Sequence, residues 1–497
     1  MAAFTRSLVL VVFGTALTAC VGQPSSSPVP GDDEEAGLDG TTDRVCDGDA
    51  KHHCKARVNL DSLRAARRRT GLSKATTPQG FGPADLAKAY NYDPTKASTA
   101  TIAVVDAYGY SALESDLSKY RSQFSLPACT SASGCLKIVN QTGQTSPLPG
   151  KPPRGDDWTV ETALDVDMAS AACPMCKIIV VQATSDQDDG LDIANATAGM
   201  LGASVISNSW GGVYDATQDS MFDMTDFNQA GVAIFVAAGD VGYQNDGEGP
   251  DYPSTSTHVI GVGGTSLTPD ASTRGYTETV WNDGSQDAGG SSCNAQIPLP
   301  AFQNGFVTPA TCGGRAASDV AAVGDPNTGL AVYNAANGGF IVIGGTSAAS
   351  PLVAGIWALT GNAKNDASLA YKNPSAFYDV ISGNNNPDNV QCTQLMCNAA
   401  AGWDGPTGMG TPNGTALAAL AGEGSGSGSG SAGSGSAGSN TGSDTGSDTG
   451  SDTGSNGDNN GGNGSSGGGC AVGDSGSGFA TIVLALGLAV TRRRRMA

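Results

Sequence analysis

The stretch Gly344-Gly345-Thr346-Ser347-Ala348-Ala349-Ser350-Pro351 decides how this chain is read. It reads as a turn that presents the Ser347 hydroxyl as a nucleophile. A serine hydroxyl is a poor nucleophile until a neighbouring base takes its proton. The usual base is histidine, and the chain has only three, His52, His53 and His258. None sits in a His-Gly-Thr-type helix start. His258 precedes Val259-Ile260-Gly261-Val262, a strand context. If Ser347 reacts, something other than imidazole accepts its proton.

Two stretches supply acids. In Trp158-Thr159-Val160-Glu161-Thr162-Ala163-Leu164-Asp165-Val166-Asp167-Met168, apolar Val160, Leu164 and Met168 recur every four residues, which predicts a helix with a buried stripe. Glu161 and Asp165 are one turn apart, so their carboxylates leave one face close together. Two such acids repel when both are ionised; one is pushed to higher pKa and the pair can share a proton. That would let a carboxylate take the Ser347 proton in acid. The alternative is a solvated acidic face, since Asp156, Asp157 and Asp167 are nearby. In Ile234-Phe235-Val236-Ala237-Ala238-Gly239-Asp240, a strand delivers Asp240 to its C-terminal end, the edge where open parallel sheets build sites. There Asp240 is either an oxyanion donor, which requires it protonated, or a loop-capping turn residue.

Outward from these pieces, apolar runs alternate with helical patterns. Residues 101–106, 177–182, 205–209 and 232–237 read as strands. Residues 111–124, 191–201 and 215–230 read as helices. This alternation predicts an α/β fold with a mainly parallel sheet covered on both faces. The expected domain covers residues 76–422. Before it, residues 1–20 read as an export signal, with Leu17-Thr18-Ala19-Cys20 similar to a bacterial lipobox that would make the chain a lipoprotein; an ordinary cut near Ala19 is the alternative. Residues 21–75 form an N-terminal arm or reduced pro-segment, rich at first in Ser, Pro and acids, later carrying a basic run from Arg64 to Arg69. Residues 423–469 are a disordered Gly/Ser/Asp-rich linker. Residues 470–497 are a sorting or anchor tail: Gly469-Cys470, an apolar run too short for a stable bilayer span, then Arg492 to Arg495. Both ends place the chain at a cell envelope or outside the cell.

The cysteines pair by proximity as Cys46/Cys54, Cys129/Cys135, Cys173/Cys176, Cys293/Cys312 and Cys392/Cys397, leaving Cys20 and Cys470. In an exported chain this pattern reads as local disulfides rather than a metal cluster. The formal net charge of −21 excludes nucleic acid as a natural partner, because phosphate binding needs a basic surface.

Taken in order, Glu161, Asp165, Asp240 and Ser347 resemble the sedolisins, the serine-carboxyl peptidases of subtilisin-like fold. The Glu-x-x-x-Asp helix, the Ala-Gly-Asp turn and the Gly-Thr-Ser-x-x-x-Pro turn carry the resemblance. So do Asp251-Tyr252-Pro253, Gly261-Val262-Gly263-Gly264-Thr265 and Ala317-Ser318-Asp319-Val320-Ala321-Ala322. The resemblance implies a three-layer subtilisin-like domain and an endopeptidase acting through an acyl-enzyme on protein or peptide substrates, favouring acid. Ser347 would attack, Glu161 would be its base, Asp165 would orient Glu161, and Asp240 would donate to the oxyanion. It also implies one structural Ca2+ near the C-terminus, held by Asp379, Val380, Ala400, Gly402 and Asp404. The family commonly has Gly where Ala400 stands. A long inhibitory prodomain is usual in the family, whereas few residues precede the core here. Two rivals remain. One is a conventional subtilisin using Asp106, which otherwise reads as structural. The other is a catalytically inactive peptidase-fold surface protein that only binds. The chain is expected to be a monomer.

Overall fold

The computed structural model describes residues 41–46, 50–68, 78–284 and 287–423. The export signal, residues 21–40 of the N-terminal arm, nearly all of the Gly/Ser-rich linker and the C-terminal tail lie outside the described residues. Among the described residues, no helix is long and apolar enough to cross a membrane.

The chain opens with short strands β1 (Thr42–Arg44), β2 (His53–Cys54) and β3 (Arg57–Asn59), then α1 (Leu60–Arg67). The Asn59 side chain caps α1 by accepting the Ser62 N–H at 3.0 Å. The alternation follows: β4 (Thr101–Ala107), α2 (Leu113–Gln123), β5 (Leu136–Asn140), α3 (Trp158–Ala172), β6 (Lys177–Ala183), α4 (Gly190–Met200), β7 (Val205–Asn208), β8 (Trp210–Val213) and β9 (Ala233–Ala237). Beyond it come β10 (Asp251–Tyr252), β11 (Ile260–Pro269), β12 (Tyr276–Val280), β13 (Val320–Val323), β14 (Leu330–Asn334), β15 (Gly339–Gly344) and α5 (Thr346–Thr360).

The central sheet has eight strands in the order β12-β11-β9-β7-β4-β6-β5, with β13 also pairing β11. Every pairing in it is parallel except β11 with β12. Apolar runs such as Ile102 to Val105 and Ile178 to Val181 are buried on both faces, so helices must cover both. Helix α3 packs on α2 and α5, and α4 packs on β4 and β6. This is the expected subtilisin-like α/β fold.

One helix departs from expectation. Residues 215–230 form only a short helical turn at Asp219–Phe222, widening to a π turn at Asp223–Phe227. The Asp215 carboxylate accepts from the Thr217 N–H (2.8 Å) and hydroxyl (2.6 Å), and Asp219 accepts the Asp215 N–H at 2.7 Å. These local bonds compete with the helix.

Candidate active site

Strand β15 ends at Gly344 and α5 begins at Thr346; between them Gly345 has φ +92°. A Cβ there would lie 2.1 Å from the Lys55 carbonyl oxygen and 2.9 Å from Asp240 Oδ2, so only glycine fits. Pro351, inside the first turns of α5, has no N–H for the Ser347 carbonyl. That carbonyl instead accepts the Ser209 hydroxyl at 3.4 Å, while the Ser347 hydroxyl donates to the Ser209 carbonyl at 3.2 Å.

Helix α3 brings Glu161 and Asp165 to this turn. It is buried along nearly its whole length, with both carboxyls fully enclosed, so the solvated-face alternative does not hold. Asp165 accepts the Ser209 hydroxyl at 2.8 Å. Neither Glu161 oxygen makes a hydrogen bond in this geometry, yet the Ser347 hydroxyl lies close enough to favour the ionised carboxylate. Burial raises Glu161 well above the usual carboxylate range, and the charges of Asp106 and Asp240 add to it. Burial likewise raises Asp165, followed by Asp106 and Glu161. Asp106, on β4, is pushed up to about 7 by burial, with contacts to Thr162 and Asp165 opposing. The acids therefore extend from Ser347 through Glu161 and Asp165 to Asp106 and titrate as a unit.

Asp240 follows β9 and faces the same turn. Its Oδ1 accepts the Thr346 N–H at 2.7 Å and the Thr346 hydroxyl at 2.8 Å, while its Oδ2 is buried without a hydrogen bond. Burial raises it to about 6, opposed by Arg57, whose Nε is 3.6 Å from Oδ2. Among the described residues no histidine bonds Ser347. His52 faces Asp192 (3.4 Å) and His258 faces Asp223 (3.7 Å).

The cleft holds a piece of the chain itself. Strand β2 pairs antiparallel with β8, His53 opposite Gly211 and Cys54 opposite Trp210. The Lys55 N–H donates to the Ser209 carbonyl at 3.0 Å, and the Lys55 carbonyl accepts the Ser347 N–H at 3.0 Å. Strand β3 then pairs with β15, Arg57 opposite Gly344 and Val58 opposite Ile343. The Cys46–Cys54 disulfide lies against the Glu161 carboxylate. With both sulfurs bonded to each other, that trio is no metal site.

All five expected disulfides are present. In the expected calcium loop, Asp379 accepts the Gly402 N–H and Asp404 the Ala400 N–H, each at 2.9 Å. Burial pushes Asp404 up to about 7, and the Asp379 charge adds to it. Two carboxylates crowded in this way, beside carbonyls of an irregular loop, suit a hard cation. Gly402 has positive φ (83°) and Ala400 does not, so the alanine costs the loop nothing.

The sequence reading used Asp106 only in the rival conventional-subtilisin reading and otherwise as a structural residue; it used Asp251 only within a family motif and assigned no role to Lys55. Asp106 sits in an apolar strand run, where a carboxylate without an obvious partner is itself a signal. Nothing in the spacing of Lys55 marks it.

The subtilase family model matches residues 159–420, more than half of the chain. Kumamolisin of Bacillus sp. (strain MN-32) is 33% identical over 383 residues, 69% of this chain and 64% of the relative. Sedolisin of Pseudomonas sp. (strain 101) is 30% identical over 375 residues, 68% of this chain and 60% of the relative. The chain thus spans under two thirds of the length of these relatives. The solved structure of Pseudomonas sedolisin, a serine-carboxyl proteinase complexed with pseudo-iodotyrostatin, superposes with a TM-score of 0.58 at 26% identity, over 69% of this chain and 98% of that one. The chain belongs to the subtilase family, in its sedolisin branch.

Proposed function

We propose that this chain is an exported endopeptidase that cuts peptide bonds through an acyl-enzyme on Ser347, in acid. The observation that carries the reading is the Lys55 carbonyl on the Ser347 N–H, flanked by Glu161 and Asp240. A peptide carbonyl already lies where an oxyanion would form. In the proposed cycle Ser347 Oγ attacks the carbonyl carbon as its proton passes to Glu161. Asp165, backed by Asp106, holds Glu161 in place and shares its proton. Protonated Asp240 and the Ser347 N–H stabilise the oxyanion. Glu161 returns the proton to the departing nitrogen, and water then hydrolyses the ester. The full acid set favours this over a surface protein that only binds, because a binding module needs none of these groups.

Asp379, Val380, Ala400, Gly402 and Asp404 would hold one Ca2+, which when bound would offset the Asp379–Asp404 repulsion and brace the loop. Residues 42–59 serve as a reduced pro-segment that closes the cleft until export. The mature protein is a monomer kept at the envelope by the lipobox cysteine, the C-terminal tail or both. The test uses the full chain and an internally quenched peptide blocked at both ends. Internal cuts are expected, with loss in Ser347→Ala; an uncut blocked peptide alongside trimmed free N-termini would overturn the endopeptidase reading.

A further inference from the structure

The cleft-bound segment sends the Lys55 side chain into a pocket beside Asp251 and Ala237. The Lys55 side chain is fully buried there. Its Nζ donates to the Asp251 carboxylate at 2.6 Å and to the Ala237 carbonyl at 2.7 Å. Asp251 Oδ1 also accepts the Ser254 hydroxyl at 2.6 Å, and Asp251 Oδ2 has no hydrogen-bond partner. The pocket is open because Gly211 has no side chain: a Cβ there would lie 2.5 Å from Lys55 Nζ. The backbone register fixes what this pocket is. The carbonyl on the Ser347 N–H is that of Lys55, so Lys55 stands where the residue before the cut bond stands, and Ala56 follows it.

We infer that Asp251 is the specificity determinant of this site and that the enzyme cuts after lysine or arginine. The inference rests on the proposed peptidase function. A buried carboxylate with no countercharge is costly, so an apolar or acidic residue in this pocket would leave Asp251 desolvated and alone. A basic residue repeats the Lys55 contacts. The guanidinium of arginine can also engage the second carboxylate oxygen that Lys55 leaves free. An ordinary structural ion pair would give the same burial. It would not need the lysine carbonyl to lie on the nucleophile's own N–H.

The same geometry makes Lys55–Ala56 the chain's own first substrate. Ser347 Oγ would bond to the Lys55 carbonyl carbon as its proton goes to Glu161. The bond to the Ala56 nitrogen would break as that proton is returned to it. Water would then release Lys55 as a carboxylate and restore the Ser347 hydroxyl. Both cysteines of the Cys46–Cys54 disulfide lie upstream of this bond. After the cut, no disulfide among the described residues would tie the upstream piece to the core.

The experiment compares kcat/KM of the full chain on blocked peptides that differ only before the cut bond: lysine, arginine, leucine or glutamate. The expected Lys:Leu ratio is on the order of a hundred or more. It should collapse in Asp251→Asn, and because both substrates are read in one variant, a loss of folded protein cancels. Asp251→Lys should reverse the preference toward glutamate. N-terminal sequencing should find Ala56 as a new terminus in the wild type and not in Ser347→Ala or Lys55→Glu. Efficient cleavage with no basic preference would overturn the inference and leave the proposed peptidase function standing. No cleavage of any peptide would overturn both.

Discussion

At the scale of single residues, burial raises the carboxyls of Glu161, Asp165, Asp106 and Asp240 above the usual carboxylate range. Asp240 can donate to an oxyanion only with its proton on, and burial holds it at about 6. Arg57 opposes that shift, so Arg57→Ala should raise Asp240 further. The positions of Glu161 and Asp165 were legible because helix periodicity puts residues four apart on one face. Asp106 was not, because its partners lie across a strand-to-helix contact that no local pattern encodes. Gly345 is the backbone counterpart of these acids. Gly345→Ala should destabilise the fold by about 2 kcal/mol or more, from positive φ and collision with the Lys55 carbonyl. Urea unfolding checks this; an unchanged midpoint would mean the turn relaxes freely.

At the scale of elements, the strand–helix alternation of the core could be read from the sequence because each run is long and periodic. The cleft segment could not. Strands β2 and β3 have two and three residues. Their partners β8 and β15 are far along the chain, and such pairings leave no periodic trace. The expected helix over residues 215–230 failed for a related reason: Asp215, Thr217 and Asp219 satisfy one another locally. The calcium loop is an element-scale prediction. Chelation should lower the melting temperature by roughly 3–5 °C, since a saturating ligand typically contributes about 2–4 kcal/mol. Asp404→Asn should melt lower at the outset and respond little to chelator. A wild type indifferent to both chelator and added Ca2+ would remove the ion from the account.

At the scale of the whole molecule, the raised acids make folding stability depend on pH. Asp106 (about 7) and Asp240 (about 6), together with Glu161 and Asp165, bind protons more tightly folded than unfolded. Between the ordinary carboxylate pKa near 4 and about 7 the native state therefore holds the extra protons. Stability is present below that window and is lost as pH rises through it. Thermal melts from pH 3.5 to 7.5 should show the highest midpoint at the acid end; a maximum at neutral pH would contradict the burial of these groups as acids.

The central claim is that buried carboxyls do the work of an imidazole, and the pH dependence of kcat/KM on a peptide substrate tests it most directly. Activity should peak in acid and fall as pH passes about 6, where Asp240 loses its proton. Glu161→Gln should lower the maximum about 100-fold or more. A rate that keeps climbing from pH 6 to 8, as an imidazole base with a pKa near 6.5 would give, or one unchanged in Glu161→Gln, would contradict it.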